Sequence, residues 1–199
     1  MAEMTKSGTM LVSGCDERVA LVADALSEGG DVIRVDDPPT LRDVVATLKP
    51  GSLSHYVQLP VNVQVSGSTV VGRVQTFLQQ GLLARFAAAD AILPALRDDA
   101  MVVLVSGNTA VDGGGLPDDS AARFALLNVL AHAIRADKAP GVVRVRIVEA
   151  GTAPADIAAV ALRGERLIAR SMARIQAREA EMSYADWRIE VMGLATVQV

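Results

Sequence analysis

Short apolar runs alternate with amphipathic segments along this chain, and the alternation predicts strand–helix repeats. Residues 10–12 are apolar and end at a Ser-Gly pair, after which apolar residues recur at helical spacing from Val19 to Leu26. A second β-branched run, residues 31–36, follows directly after two glycines. Two strands joined through one helix lie parallel, so the first forty residues predict a βαβ unit.

The same pattern continues to the end of the chain. Thr40 is expected to cap a helix over residues 41–48, and Pro94 to bend or end a long helix over residues 70–96. The unbroken apolar run 101–105 predicts a central strand covered on both faces. The remaining predicted strands are 56–59, 142–148 and 187–191, and the remaining predicted helices are 121–136 and 155–181.

Composition narrows the class of protein. A chain of 199 residues, 51% of them hydrophobic, can bury one substantial core, so we expect a single domain over residues 1–199. Its net charge of -4 is spread along the sequence, which favours neither nucleic acid nor a membrane surface as a partner. The chain has one cysteine, Cys15, and its first residues lack a secretory signal pattern, so we expect a cytoplasmic protein.

The order of the predicted elements resembles the short-chain dehydrogenase/reductase family over most of the chain, from Leu11 to about Gly193. The strongest local support lies between Met101 and Gly151, where a strand, a Ser-containing turn, a glycine-rich loop and "FALLNVLAHAI" precede "VVRVRIVEAG". The resemblance implies an α/β fold: a single-domain, doubly wound Rossmann-like fold with a mostly parallel sheet flanked by helices. One strand–helix pair of the family is missing from the stretch between Lys49 and Val70.

In that family the first turn binds the coenzyme diphosphate through glycines, which let backbone N–H groups approach it at a helix N-terminus. Here Gly14 matches the first glycine, while Arg18 and Ala20 stand in place of the second and third. Asp16 and Glu17 put two carboxylates beside the expected phosphates, where like charges repel. The alternative is that these two carboxylates only cap the helix; both interpretations disfavour a dinucleotide in the usual position.

Asp36 follows the second strand, about twenty residues after the turn, and matches the acid that binds the ribose in NAD-dependent members. An Asp at a strand end is also an ordinary turn residue. The cofactor prediction is therefore that none is bound, with NAD held by Gly14 and Asp36 as the alternative.

The catalytic residues of the family have no counterparts in the aligned positions. The resemblance places Gly107 at the catalytic Ser, Ser120 at the Tyr, Phe124 at the Lys and Gly72 at the Asn. A serine is a weaker acid than a phenol, and Phe124 has no charge with which to lower a neighbour's pKa, so standard hydride transfer loses its proton donor. The two tyrosines, neither followed by Lys four places later, are Tyr56 and Tyr184.

Three side chains stay as weak catalytic candidates. A one-residue shift brings Ser106 to the catalytic Ser position, and with Asn108 and Thr109 it could line a crevice. The equal alternative is that these three residues only bond the loop backbone. Ser120 is the second candidate. Cys15 is the third, because it opens a helix at the carboxyl end of the first strand. Asp16 and Glu17 disfavour its thiolate, and a small buried thiol is the commoner explanation.

No metal site is predicted. The two histidines, His55 and His132, lack Cys or acidic partners at metal-ligand spacing, and His132 is explained by a packed or surface position on its helix.

The predicted helices 70–96 and 121–136 carry apolar residues on more than one face, and the family pairs these two helices across a two-fold axis. We therefore expect a homodimer through these helices, or a hetero-oligomer with an active relative. The alternative is that the sheet covers all of these residues: Val74, Phe77, Leu78, Leu82, Leu83 and Phe86 on one helix, and Phe124, Leu127, Leu130 and Ile134 on the other.

The sequence thus predicts a short-chain dehydrogenase-like pseudoenzyme acting as a scaffold, as a subunit beside an active relative, or as a binder of a small ligand. The alternative is a divergent NAD(P)-dependent oxidoreductase with a nonstandard site. A truncated oligomerisation module is a third possibility.

Overall fold

The computed structural model describes residues 8–15, 17–37, 40–60, 68–106, 119–138, 143–149 and 151–164. These residues lie within one compact unit, Met1–Arg166, so the prediction of one domain over 1–199 stays a prediction. No helix among them is long and apolar enough to span a membrane. The strands are β1 Thr9–Ser13, β2 Val32–Val35, β3 Leu53–Gln58, β4 Leu96–Val105 and β5 Arg144–Val148. The α-helices are α1 Arg18–Leu26, α2 Leu41–Ala46, α3 Val70–Thr76, α4 Ala84–Ile92, α5 Asp119–Asp137 and α6 Pro154–Arg163.

The five strands form one parallel sheet in the order β2-β1-β3-β4-β5, which confirms the predicted α/β fold. This order is the usual Rossmann order 3-2-1-4-5-6 with its third strand removed. Residues 47–52 lead from α2 straight into β3, which pairs with β1 on the side away from β2. The strand predicted to be missing between Lys49 and Val70 is therefore the one that would lie outside β2.

Helices cover both faces of the sheet. On one face, apolar side chains of α2, α4 and α5 pack against residues such as Leu11, Tyr56 and Val102. On the other face, α1 and α6 pack against residues such as Met10, Val57 and Met101. The end of β4 is buried on both sides because the strand lies between β3 and β5, as its unbroken apolar run predicts.

Two predicted helices end earlier than expected. The helix predicted over 155–181 ends at Arg163, because Gly164 adopts a left-handed conformation with φ +64° and donates its N–H to the carbonyl of Val160. Residues 165–181 and the predicted strand 187–191 lie outside the described residues. The helix predicted over 70–96 ends at Ile92, where a 3₁₀ turn, Leu93–Ala95, contains Pro94 and leads into β4.

The helix over 70–92 also has an interruption that its sequence pattern does not predict. Between α3 and α4 the segment Phe77–Leu83 is a π-helix, in which each N–H bonds five residues back instead of four. This change in hydrogen bonding alters the direction in which the preceding residues face.

Thr40 precedes α2 as predicted, but its side chain does not cap the helix. Its Oγ1 donates to the carbonyl of Asp37 at 2.8 Å and therefore belongs to the turn before the helix.

Candidate functional site

The sheet order reverses between β1 and β3, and in open parallel sheets the crevice outside the carboxyl ends of such strands binds ligands. Here those ends are Ser13 and Gln58, which are register partners on neighbouring strands. Because Leu11 and Tyr56 are also partners, all four side chains face the same side of the sheet, the side covered by α4.

Gly14 follows β1 with φ +153°, a conformation that favours glycine. A Cβ at this position would lie 2.8 Å from Leu59 Cβ and 3.1 Å from the carbonyl oxygens of Leu59 and Pro60. The N–H of Gly14 donates to Val35 and the N–H of Cys15 donates to Pro60, both at 3.2 Å. In this geometry the glycine lets neighbouring strand ends approach, and both donors are bonded to the chain itself.

A buried polar network lies between these strand ends and α4. Arg85, in the first turn of α4, is only 6% exposed, and Gln58 is 2% exposed. The guanidinium donates from Nε to Gln58 Oε1 at 2.9 Å and from Nη2 to the Gln58 carbonyl at 3.3 Å. Gln58 Nε2 in turn donates to the Arg85 carbonyl at 3.0 Å and to the Tyr56 hydroxyl at 3.3 Å. These bonds tie α4 to the end of β3.

The network extends to β1 through Tyr56. The Tyr56 hydroxyl lies 2.8 Å from Ser13 Oγ, within hydrogen-bond distance. Burial raises the pKa of Tyr56, against the smaller opposite effects of its hydrogen bonds to Ser13 and Gln58 and of the Arg85 charge. The phenol therefore holds its proton at neutral pH, which makes it a structural hydrogen-bonding group and a poor proton donor.

Little space is left at this position. A cavity of about 10 Å³ lies between Ser13 and Gly14 on β1, Gln58 and Leu59 on β3, and Ala84 and Arg85 on the helix. Such a volume is at the lower limit for one water molecule. The side chains of Ser13, Gln58 and Arg85 therefore leave little room between these strand ends and α4.

Asp36 lies directly after β2, where the resemblance places a ribose-binding acid. Its carboxylate forms an exposed two-point contact with Arg34, with Nε to Oδ1 at 2.7 Å and Nη2 to Oδ2 at 2.6 Å. The hydrogen bond from Arg34 lowers the pKa of Asp36, so the carboxylate is ionised at neutral pH and engaged by a side chain of its own strand.

The acidic cap predicted for α1 is not formed in the expected way. Glu17 occupies the N-cap position, but its side chain makes no capping hydrogen bond. Asp16 lies outside the described residues.

The structure locates only two of the three weak catalytic candidates. Cys15 is half-buried in the turn after Gly14. Ser106 is buried at the end of β4, and its N–H donates to the carbonyl of Val148 at 2.8 Å. Ser120 belongs to the first turn of α5, but its side chain is outside the described part, as are all of Gly107, Asn108 and Thr109. The assignment of these residues to catalysis stays a prediction.

The two histidines have different surroundings. His132 is exposed on α5. His55 lies in β3 near the opposite, amino-terminal edge of the sheet, where its Nδ1 is 2.9 Å from Ser54 Oγ and Ser54 Oγ donates to the carbonyl of Thr9. Burial lowers the pKa of His55, with smaller contributions in the same direction from Arg144 and Arg97. Among the described residues, no three His, Cys, Asp or Glu side chains form a group that could hold a metal ion.

Sequence reasoning missed Gln58 and Arg85, and it considered Tyr56 only for its lack of a lysine partner. The available signal was weak: a glutamine closes an apolar strand, and one arginine stands in an alanine-rich helix. Only the packing of α4 on the sheet brings these two polar residues together.

Solved structures of short-chain dehydrogenases resemble this chain in fold. One from Burkholderia cenocepacia, in complex with NADP, is 15% identical with a TM-score of 0.57, and the match covers 96% of this chain and 99% of that one. A short-chain dehydrogenase/reductase from Serratia marcescens is 15% identical with a TM-score of 0.55, covering 79% and 89%. A protein from Listeria innocua is 14% identical with a TM-score of 0.57, covering 80% and 96%.

These likenesses show that the chain has a Rossmann fold of the short-chain dehydrogenase/reductase type. No protein-family model and no curated protein matches the sequence.

The Gln58–Arg85 contact should dominate the stability of this region. Replacing Gln58 with Leu removes the side-chain acceptor of a buried cation and the donor to the Arg85 carbonyl, while the backbone acceptor remains. It should lower the free energy of unfolding by about 2–4 kcal/mol. Urea denaturation measures this free energy. The control Gln75→Leu replaces an exposed glutamine on α3 and should change the free energy of unfolding by less than about 0.5 kcal/mol. The double variant with Arg85→Met should lose less than the two single losses combined; strict additivity would mean that the two side chains are not coupled.

His55 should make stability depend on pH. Its folded-state pKa is below that of the unfolded chain, so the unfolded chain binds the proton more tightly and gains population as the pH falls. The contribution is complete above about pH 6.5 and is lost as the pH falls through the lower folded pKa. Between pH 7 and 5, His55→Gln should reduce the loss of unfolding free energy measured in urea, whereas His132→Gln should not. Equal slopes for parent and His55→Gln would refute this assignment.

Proposed function

We propose that this protein is a non-catalytic member of the short-chain dehydrogenase-like fold, and that it acts in the cytoplasm as a self-associating scaffold subunit. The observation that carries the proposal is that the polar groups at the ends of β1 and β3 are bonded within the chain itself. Donors that would hold a coenzyme diphosphate, the N–H groups of Gly14 and Cys15, are bonded to Val35 and Pro60. Arg85 and Gln58 occupy the adjoining space.

Charge supports the same proposal. Glu17 stands at the start of α1, and Asp36 is already paired with Arg34. A diphosphate at this turn would face a carboxylate without gaining the backbone donors that usually offset its desolvation. The absence of a Tyr-Lys pair from the aligned catalytic positions removes the proton donor for carbonyl reduction.

A second candidate function is a divergent NAD(P)-dependent oxidoreductase. It is favoured by one observation, the NADP bound to the similar Burkholderia cenocepacia dehydrogenase. In this candidate Asp36 would bind the ribose after release from Arg34, and Ser106 or Cys15 would act near the substrate.

Calorimetric titration with NAD⁺, NADH, NADP⁺ and NADPH distinguishes the two candidates. A scaffold should bind none of them with a dissociation constant below about 1 mM. An NADP-binding short-chain dehydrogenase titrated under the same conditions serves as the positive control. Micromolar binding of any of the four would contradict the scaffold. Loss of NAD⁺ or NADH binding in Asp36→Ala, an exposed substitution that leaves the core intact, would favour the oxidoreductase instead.

Self-association is proposed through the outer sides of the helices over 70–92 and 119–137. Leu83 is 59% exposed on the first, and Val129 is exposed on the second. The predicted dimer surface is corrected in one respect: Leu127, Leu130 and Ile134 lie in the chain's own core, because α5 turns them towards the sheet, and Leu82 is buried as well.

Leu83→Glu should dissociate the dimer. The new carboxylate is harmless on a monomer surface but would be buried without a partner in the dimer, raising the dissociation constant at least about a hundredfold, or roughly 3 kcal/mol. Leu21→Glu is the matched control, since Leu21 is 57% exposed on α1, on the opposite face of the sheet. Sedimentation velocity measures the oligomeric state of the parent chain and of both variants. The proposal is contradicted if the parent chain stays monomeric at about 100 μM, or if Leu83→Glu still forms a dimer.

A further inference from the structure

We draw no further inference here: the strongest candidate, the cluster of His55, Arg97 and Arg144 at the amino-terminal edge of the sheet, adds nothing to the pH dependence predicted for His55, because one arginine pairs with a carboxylate of its own strand and the other lies beside the carboxyl end of α6, whose dipole a cation complements.

Discussion

The buried contact between the Arg85 guanidinium and Gln58 is the interaction on which this architecture most depends. A cation removed from water is costly unless its N–H groups find acceptors, and Gln58 supplies two of them, one from its side chain and one from its backbone. Because Gln58 ends β3 and Arg85 begins α4, satisfying the charge also fixes the helix over the reversal point of the sheet. Internal hydrogen bonds thereby join α4 to the carboxyl ends of β1 and β3.

The backbone donors of the turn after β1 are also bonded within the chain. In a dinucleotide-binding protein, glycine lets backbone N–H groups face a phosphate. Here Gly14 lets the ends of β1 and β3 come together, and the N–H groups of Gly14 and Cys15 bond to neighbouring carbonyls. The same residue in the same turn can thus serve a ligand or the fold, and the direction of its hydrogen bonds distinguishes the two. Similarity of fold alone does not carry a function from one protein to another.

The helix over 70–92 shows that an apolar pattern alone does not determine which side chains a helix buries. Its π-helical segment leaves Val71 and Leu78 on the surface, whereas an unbroken α-helix that turned both inward would also bury Gln75. In α5 the pattern and the packing agree, because the helix turns Leu127, Leu130 and Ile134 into the core.

The sequence by itself determined the order and type of the elements. Strand and helix periods are local properties, so the apolar runs at 10–12 and 101–105 and the helical spacing from Val19 to Leu26 were enough to predict a parallel α/β sheet. The missing strand followed only from the resemblance to the short-chain dehydrogenase/reductase family. Only the tertiary structure decided which polar residues meet. Ser13, Tyr56, Gln58 and Arg85 come from three separate elements, and no local pattern specifies that α4 will lie over the ends of β1 and β3. The sequence pattern also did not predict that α6 ends at Gly164. A glycine ends a helix in this way only when its backbone adopts the left-handed conformation, which the structure shows.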